Sequence, residues 1–237
     1  RNLGWKDERP LMMWNPPWVL PLLSPLFFLS YWRARALWHL ISLVIVFCSS
    51  NWLWSRYGGT RSYRWICWIA TIAFIPVYFS LSLSQISHIQ LGGIVVFLWA
   101  LDKRKPYVAG LSLILLSVKP QAIYLFWFFL LLWIIKRNEW RIAITAVAGI
   151  CTLCLFAWLI NPSILVDYLA SICSDSGPMI WQTPTWGTLL YMAAPHYGNW
   201  IRYIPSLIGL IGAFYMWIKW RDSFRWDYHI FAVMFLS

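Results

Sequence analysis

Residues 116–133 read LSVKPQAIYLFWFFLLLW, a lysine, a proline and a glutamine set inside one of the most apolar passages of the chain. An ammonium in the interior of a bilayer costs roughly 3 kcal/mol on insertion scales, so a lysine there marks a substrate path or has a partner. In a globular protein the same side chain would simply turn to water. Which of the two holds is decided by the rest of the sequence.

The chain has 237 residues, 61% hydrophobic and 11% charged, where globular proteins carry about 25% charged residues. That composition is of a membrane protein, and 20 Trp agree with it, because indole rings favour the interface between acyl chains and water. The formal charge of +11 falls in short clusters between apolar runs and not on one basic face. Nucleic acid is therefore set aside as a partner, and loops lying against anionic lipid account for the charge.

Apolar runs over Ala36–Trp54, Trp65–Leu83, Ile86–Leu101, Ile142–Ile160 and Tyr203–Ile218 approach the roughly 20 residues a crossing helix needs, and His229 begins another. None alternates as a barrel strand would. The fold class expected is all-α: a polytopic integral membrane helical bundle with re-entrant or half-span hairpins. Basic clusters at Arg56–Arg64, Lys103–Lys105, Lys136–Arg141 and Lys219–Arg225 are each separated by an even number of spans, which places them together on the cytoplasmic side. Residues 142–201 lack Lys and Arg, as a translocated stretch should. The protein is thus read as one transmembrane domain over 1–237, multi-pass in the cytoplasmic membrane, with an extracytoplasmic loop at 162–200. Starting at Arg1 and ending within an apolar run, it reads as a fragment at both ends.

Two stretches look too short to cross. PPWVLPLLSPLFFLSYW, with four prolines, reads as an interfacial or half-inserted segment on the outer side. Tyr107–Val118 and Ala122–Ile135 read as a hairpin rising from the cytoplasm and turning at Lys119–Pro120 below the outer surface. Irregular backbone at that depth is tolerated only beside a polar cavity or buried protein. The 162–200 loop is expected on the membrane surface above that cavity.

No Asp or Glu lies inside an expected span to pair with Lys119. Its counter-charge is therefore expected from outside, a phosphate on a lipid being suited to a point-charge ammonium; the plain alternative is snorkelling to the outer interface. Of the five Cys, Cys151 and Cys154 spell C-x-x-C, read as two small residues on a buried helix because no second ligand pair accompanies them. No metal site is indicated, a divalent cation stays open as a cofactor, and no nucleotide-binding or soluble-hydrolase motif is present.

The order of these pieces carries a resemblance. SQIS, an apolar span, a basic turn, YVAGLSLILLSVKPQ and KRNEWR resemble the polyprenyl-phosphate-dependent membrane glycosyltransferases of family 87, within the GT-C superfamily. Gln85, Ile86 and Ser87 match the family's Gly-Gln-Ile-Ser run, Ala109 and Gly110 its Ala-Gly, and Lys119, Pro120 and Gln121 its Lys-Pro-Gln. The Trp-Asn-Pro-Pro segment matches the family's aromatic-x-Pro-Pro, so the likeness covers about residues 14–141, with WQTPTWGTLLYM a looser echo. Ser84 departs from the pattern where the family has Gly.

The resemblance implies a GT-C type fold and transfer of a sugar, mannose first among the candidates, from a polyprenyl-phosphate donor to a lipid or glycan acceptor on the extracytoplasmic face. It assigns donor phosphate binding to Lys119, with Gln85, Gln121 and His88 as neutral partners, although a lone His at a helix end is more often structural. Such transfer also needs a carboxylate base, which the family places in an outer loop upstream of Arg1. Asp7 and Glu8 are the weaker substitutes within the chain. Asp167 and Asp175, on the loop, read as solvated acids, and Asp102, Glu139, Asp222 and Asp227 as balancing the basic side. Two other readings are a lipid or polyol transporter or flippase, in which Lys119 is a substrate counter-ion on a broken helix, and a membrane scaffold.

Overall fold

The computed structural model describes residues 15–173 and 185–236, in which helices are joined by short turns and no strand occurs. Chain order gives α1 (Val19–Leu23), α2 (Tyr31–Arg56), α3 (Arg64–Ala73), α4 (Ile75–Ser82), α5 (Ser87–Asp102), α6 (Pro106–Leu116), α7 (Tyr124–Arg137), α8 (Trp140–Ile160), α9 (Ile164–Cys173), α10 (Trp186–Ala193), α11 (Ile204–Trp220) and α12 (Trp226–Leu236). Four helical segments are long and apolar enough to cross a membrane: Tyr31–Arg56, Pro120–Arg137, Trp140–Ile160 and Asn199–Trp220. The protein is a multi-pass membrane bundle.

Two expectations are corrected. The run Trp65–Leu83 is not one helix: α3 and α4 meet at 57°, so they form a broken span or a re-entrant loop. Pro76, near the start of α4, can neither donate to an earlier carbonyl nor fit its ring beside one, and Phe74 is extended there with ψ 104°. The second arm of the Lys119 hairpin is not a half-span either. A 3-10 turn over Pro120–Ile123 runs into α7 and makes an 18-residue apolar segment. Only the first arm, α6 with 11 residues, falls short.

The basic clusters do share one end. Arg56 of α2 pairs with Asp102 of α5, Lys136 of α7 with Asp222, and the Tyr57 hydroxyl donates to the Asp227 carbonyl at 2.8 Å. The Lys136 hydrogen bond and charge hold the Asp222 carboxyl below its usual pKa. Between these ends and the middle of the bundle lies an aromatic core, where Phe97, Phe126 and Trp226 meet with centroids 5.0–5.5 Å apart and Phe129 stacks on Phe224 at 5.4 Å.

Two small-residue contacts let the short hairpin α5–α6 pack tightly. Gly93 faces Ser112, Leu115 and Leu116 across the hairpin, and Gly110 lies against the Ile142 carbonyl and Thr145 of α8. Among apolar helices in lipid, close backbone approach at small residues supplies the packing that a hydrophobic drive would supply in water. The matched Ala109-Gly110 pair thus has a structural cause. Cys151 sits on the exposed surface of α8, not on a buried helix, and Cys154 is partly buried; all five cysteines are free.

Helix ends repeat one device. After α4 the Gln85 N–H donates to the Ser80 carbonyl and the Ser84 N–H to the Leu81 carbonyl, with Ser84 left-handed at φ 52°. After α5 the Lys105 and Arg104 N–H groups do the same to Ala100 and Leu101, with Arg104 at φ 52°. These are Schellman closures, which place a left-handed residue where glycine is usual. Ser84 is the one departure from the family's glycine, and it stands where the backbone conformation favours glycine.

Gly110→Ala is expected to lower stability by about 1–3 kcal/mol, because its new Cβ would lie 2.6 Å from Thr145 Cβ and 2.7 Å from the Ile142 carbonyl oxygen. Gly212→Ala on α11, with nothing within 4 Å, should leave stability unchanged or raise it. Thermal unfolding in detergent compares the pair; equal shifts would contradict the packing account. Ser84→Gly should raise stability by up to about 1 kcal/mol by relieving the left-handed strain, and a lowered midpoint would count against it.

Candidate functional site

The site grows from the end of α6. A residue before proline is driven out of the helical region, and Lys119, ahead of Pro120, has φ −141° and ψ 69°. The helix must therefore stop, which orphans carbonyls in a setting with little water. Gln90, buried on α5, answers this with both amide hydrogens: its Nε2 donates at 2.9 Å to the Leu116 carbonyl and at 2.9 Å to the Lys119 carbonyl. Ser117 donates to the Ile114 carbonyl at 2.8 Å and accepts from Trp18 Nε1 at 2.9 Å. The proline-rich segment is thereby tied down, with Val19 buried against Ile86 and Val118.

With the turn fixed, the half-buried Lys119 side chain donates from Nζ to Gln85 Oε1 at 2.9 Å. Gln85 follows the Schellman turn whose Ser84 carbonyl accepts from Trp38 Nε1 at 3.1 Å. Both residues line a cleft of about 480 Å³ walled by the start of α2, by the α1 segment and by the α4–α5 turn. Arg35 and Asn15 add polar groups, Leu23, Leu26, Leu83 and Ile86 an apolar wall, and no carboxylate lines it among the described residues.

The structure brings together Lys119 and Gln85 and leaves the other two neutral candidates apart. His88 is buried, its Nδ1 3.2 Å from the Gln85 carbonyl, and it does not line the cleft; Gln121 is exposed outside it. Asp7, Glu8 and Asp175 lie outside the described residues. Asp167 accepts from Ser163 Oγ at 2.6 Å on α9, which contributes no residue to the cleft, nor does α10. The expected cover of the cavity by the 162–200 loop is thus not seen among the described residues. They hold no group of three His, Cys, Asp or Glu able to bind a metal ion.

Sequence reasoning passed over Arg35 and Gln90. Both had a signal. Arg33 and Arg35 sit at the end of α2 away from the basic clusters, against the usual distribution of Lys and Arg. Gln90 is an amide within an apolar helix, and buried polar groups need a partner.

No curated protein and no solved structure matches the chain. The model of glycosyltransferase family 87 matches residues 14–237, which takes in the Pro-Pro segment, the Gln85 turn, Lys119 and the helices beyond the hairpin. With nearly its whole length matched, the chain belongs to glycosyltransferase family 87.

Proposed function

We propose that this membrane glycosyltransferase moves a hexose or pentose, mannose first among them, from a polyprenyl-phosphate donor to a lipid or glycan acceptor on the extracytoplasmic face of the cytoplasmic membrane. The observation that carries the reading is the Lys119 ammonium held 2.9 Å from Gln85 Oε1 in a cleft that no carboxylate among the described residues lines. A polyprenyl-phosphate sugar supplies both the missing negative charge and a hydrocarbon chain for the apolar wall. Family membership favours this reading over the transporter.

The reaction is an inverting displacement. The acceptor hydroxyl oxygen bonds to the anomeric carbon as the bond from that carbon to the phosphate oxygen breaks, and its electron pair stays on the leaving phosphate. Lys119 and Arg35 offset the charge gathering there. Gln85 accepts from Lys119 through Oε1, which leaves its Nε2 hydrogens to donate to a phosphate oxygen. The base that takes the acceptor proton comes from outside the described residues, in keeping with the outer-loop carboxylate that the resemblance implies.

Lys119→Ala in the full-length protein should lower kcat with a polyprenyl-phosphate sugar by roughly 10²–10³-fold, with membrane insertion intact, and Gln85→Leu by about tenfold. Normal turnover by Lys119→Ala would sink the proposal. Substrate flux in liposomes lacking any sugar donor would favour the transporter instead.

A further inference from the structure

A second cavity, of about 550 Å³, opens at the basic end of the bundle. Four arginines line it, Arg56, Arg104, Arg137 and Arg225, against the carboxylates Asp102 and Asp227. Both carboxylates are already engaged: Asp102 pairs with Arg56, and Asp227 with Arg225 at 2.7 Å. Arg104 and Arg137 have no carboxylate partner among the described residues. Their backbones are set by the helix ends, Arg104 at the left-handed position closing α5 and Arg137 in the last turn of α7.

The rest of the lining is apolar: Leu98, Leu101, Trp133, Phe224 and Trp226. A ligand matching the two unpaired guanidiniums and this apolar wall has an anionic, oxygen-rich head and an apolar body. Guanidinium forks suit phosphate oxygens in particular.

We propose that this cavity binds the phosphate headgroup of an anionic phospholipid, with Arg104 and Arg137 as its principal cations. The lipid joins the ends of α2, α5, α7 and α12, whose arginines and tryptophans it meets together. Arg104 also lines an adjoining cavity of about 510 Å³ with Lys105, Arg141 and Glu139, so the positive field continues beside the headgroup. The site is separate from the Lys119 cleft and does not depend on the reaction assigned there.

The test uses the full-length protein in nanodiscs of phosphatidylcholine, with and without phosphatidylglycerol, and native mass spectrometry to count retained lipid. Phosphatidylglycerol should stay bound and raise the unfolding midpoint, and Arg104→Gln with Arg137→Gln should weaken retention by roughly tenfold per guanidinium removed. The control double variant Arg61→Gln with Lys103→Gln, which removes equal charge at the same end from residues lining neither cavity, should retain the lipid. An equal loss in the control would mean diffuse attraction and overturn the site. Absence of bound phosphatidylglycerol in the wild type would overturn it too. An equal midpoint shift with inorganic phosphate in neutral nanodiscs would overturn the lipid as the source.

Discussion

The amide of Gln90 is the interaction on which the site depends. Ending a helix inside a membrane leaves carbonyls that no water meets, at several kcal/mol each in hydrocarbon. Gln90 meets one of them, at Leu116, from the neighbouring helix, and its second hydrogen bond goes to the Lys119 carbonyl beyond the helix end, which also accepts from the Ala122 N–H at 3.1 Å. Its two hydrogen bonds therefore do more than stabilise a turn. They make an interrupted helix tolerable at that depth, and so permit a lysine to project into a cleft instead of following the α6 axis.

That turn depends in turn on how closely α5 and α6 lie. Gln90 can reach the carbonyls only because Gly93, one turn further along α5, admits Leu115 and Leu116 of α6 within 3.1 Å of where a Cβ would stand. Gly110 lets α8 support the hairpin from its other side. Packing thus fixes the backbone of Lys119, while the Schellman turn at Ser84 and the Trp38 hydrogen bond fix that of Gln85. The ammonium and the amide meet because two separate helix terminations have been brought to the same depth.

Much of this was legible in the sequence, for stated reasons. Long apolar runs gave α2, α8 and α11 because crossing a membrane demands length and hydropathy, and the even spacing of basic clusters put Arg56, Asp102, Lys136 and Asp222 at one end. Lys119 stood out because a charge in an apolar run is costly, and Gln85 came through its match to a family pattern. The bend at Phe74 was missed, since Pro76 can either start a new helix or kink one and periodicity does not separate these. The sequence places the turn at Lys119–Pro120 with the second arm starting at Ala122, whereas Pro120–Ile123 winds as a 3-10 turn that leads straight into α7. Arg35 and Trp18 escaped because their neighbours in the cleft and at the turn, Lys119 and Ser117, are 84 and 99 residues away in sequence. Only the tertiary fold makes them adjacent.

The two ends of the bundle resolve their charges differently. At the basic end carboxylates are interleaved with arginines, so three of the acids, Asp102, Asp222 and Asp227, are each held in an ion pair and only the excess cations remain for a ligand. In the cleft no acid faces Lys119 or Arg35 among the described residues. A carboxylate there would bind Lys119 permanently, neutralise the field that a phosphate needs, and leave the ammonium paired before the substrate arrived. Gln85 avoids this: its carbonyl oxygen orients the ammonium through a neutral hydrogen bond while leaving the charge unspent. On the proposed donor chemistry, such an arrangement keeps a cation ready for a ligand's counter-charge, which is the electrostatic condition under which charge developing on a leaving phosphate is stabilised.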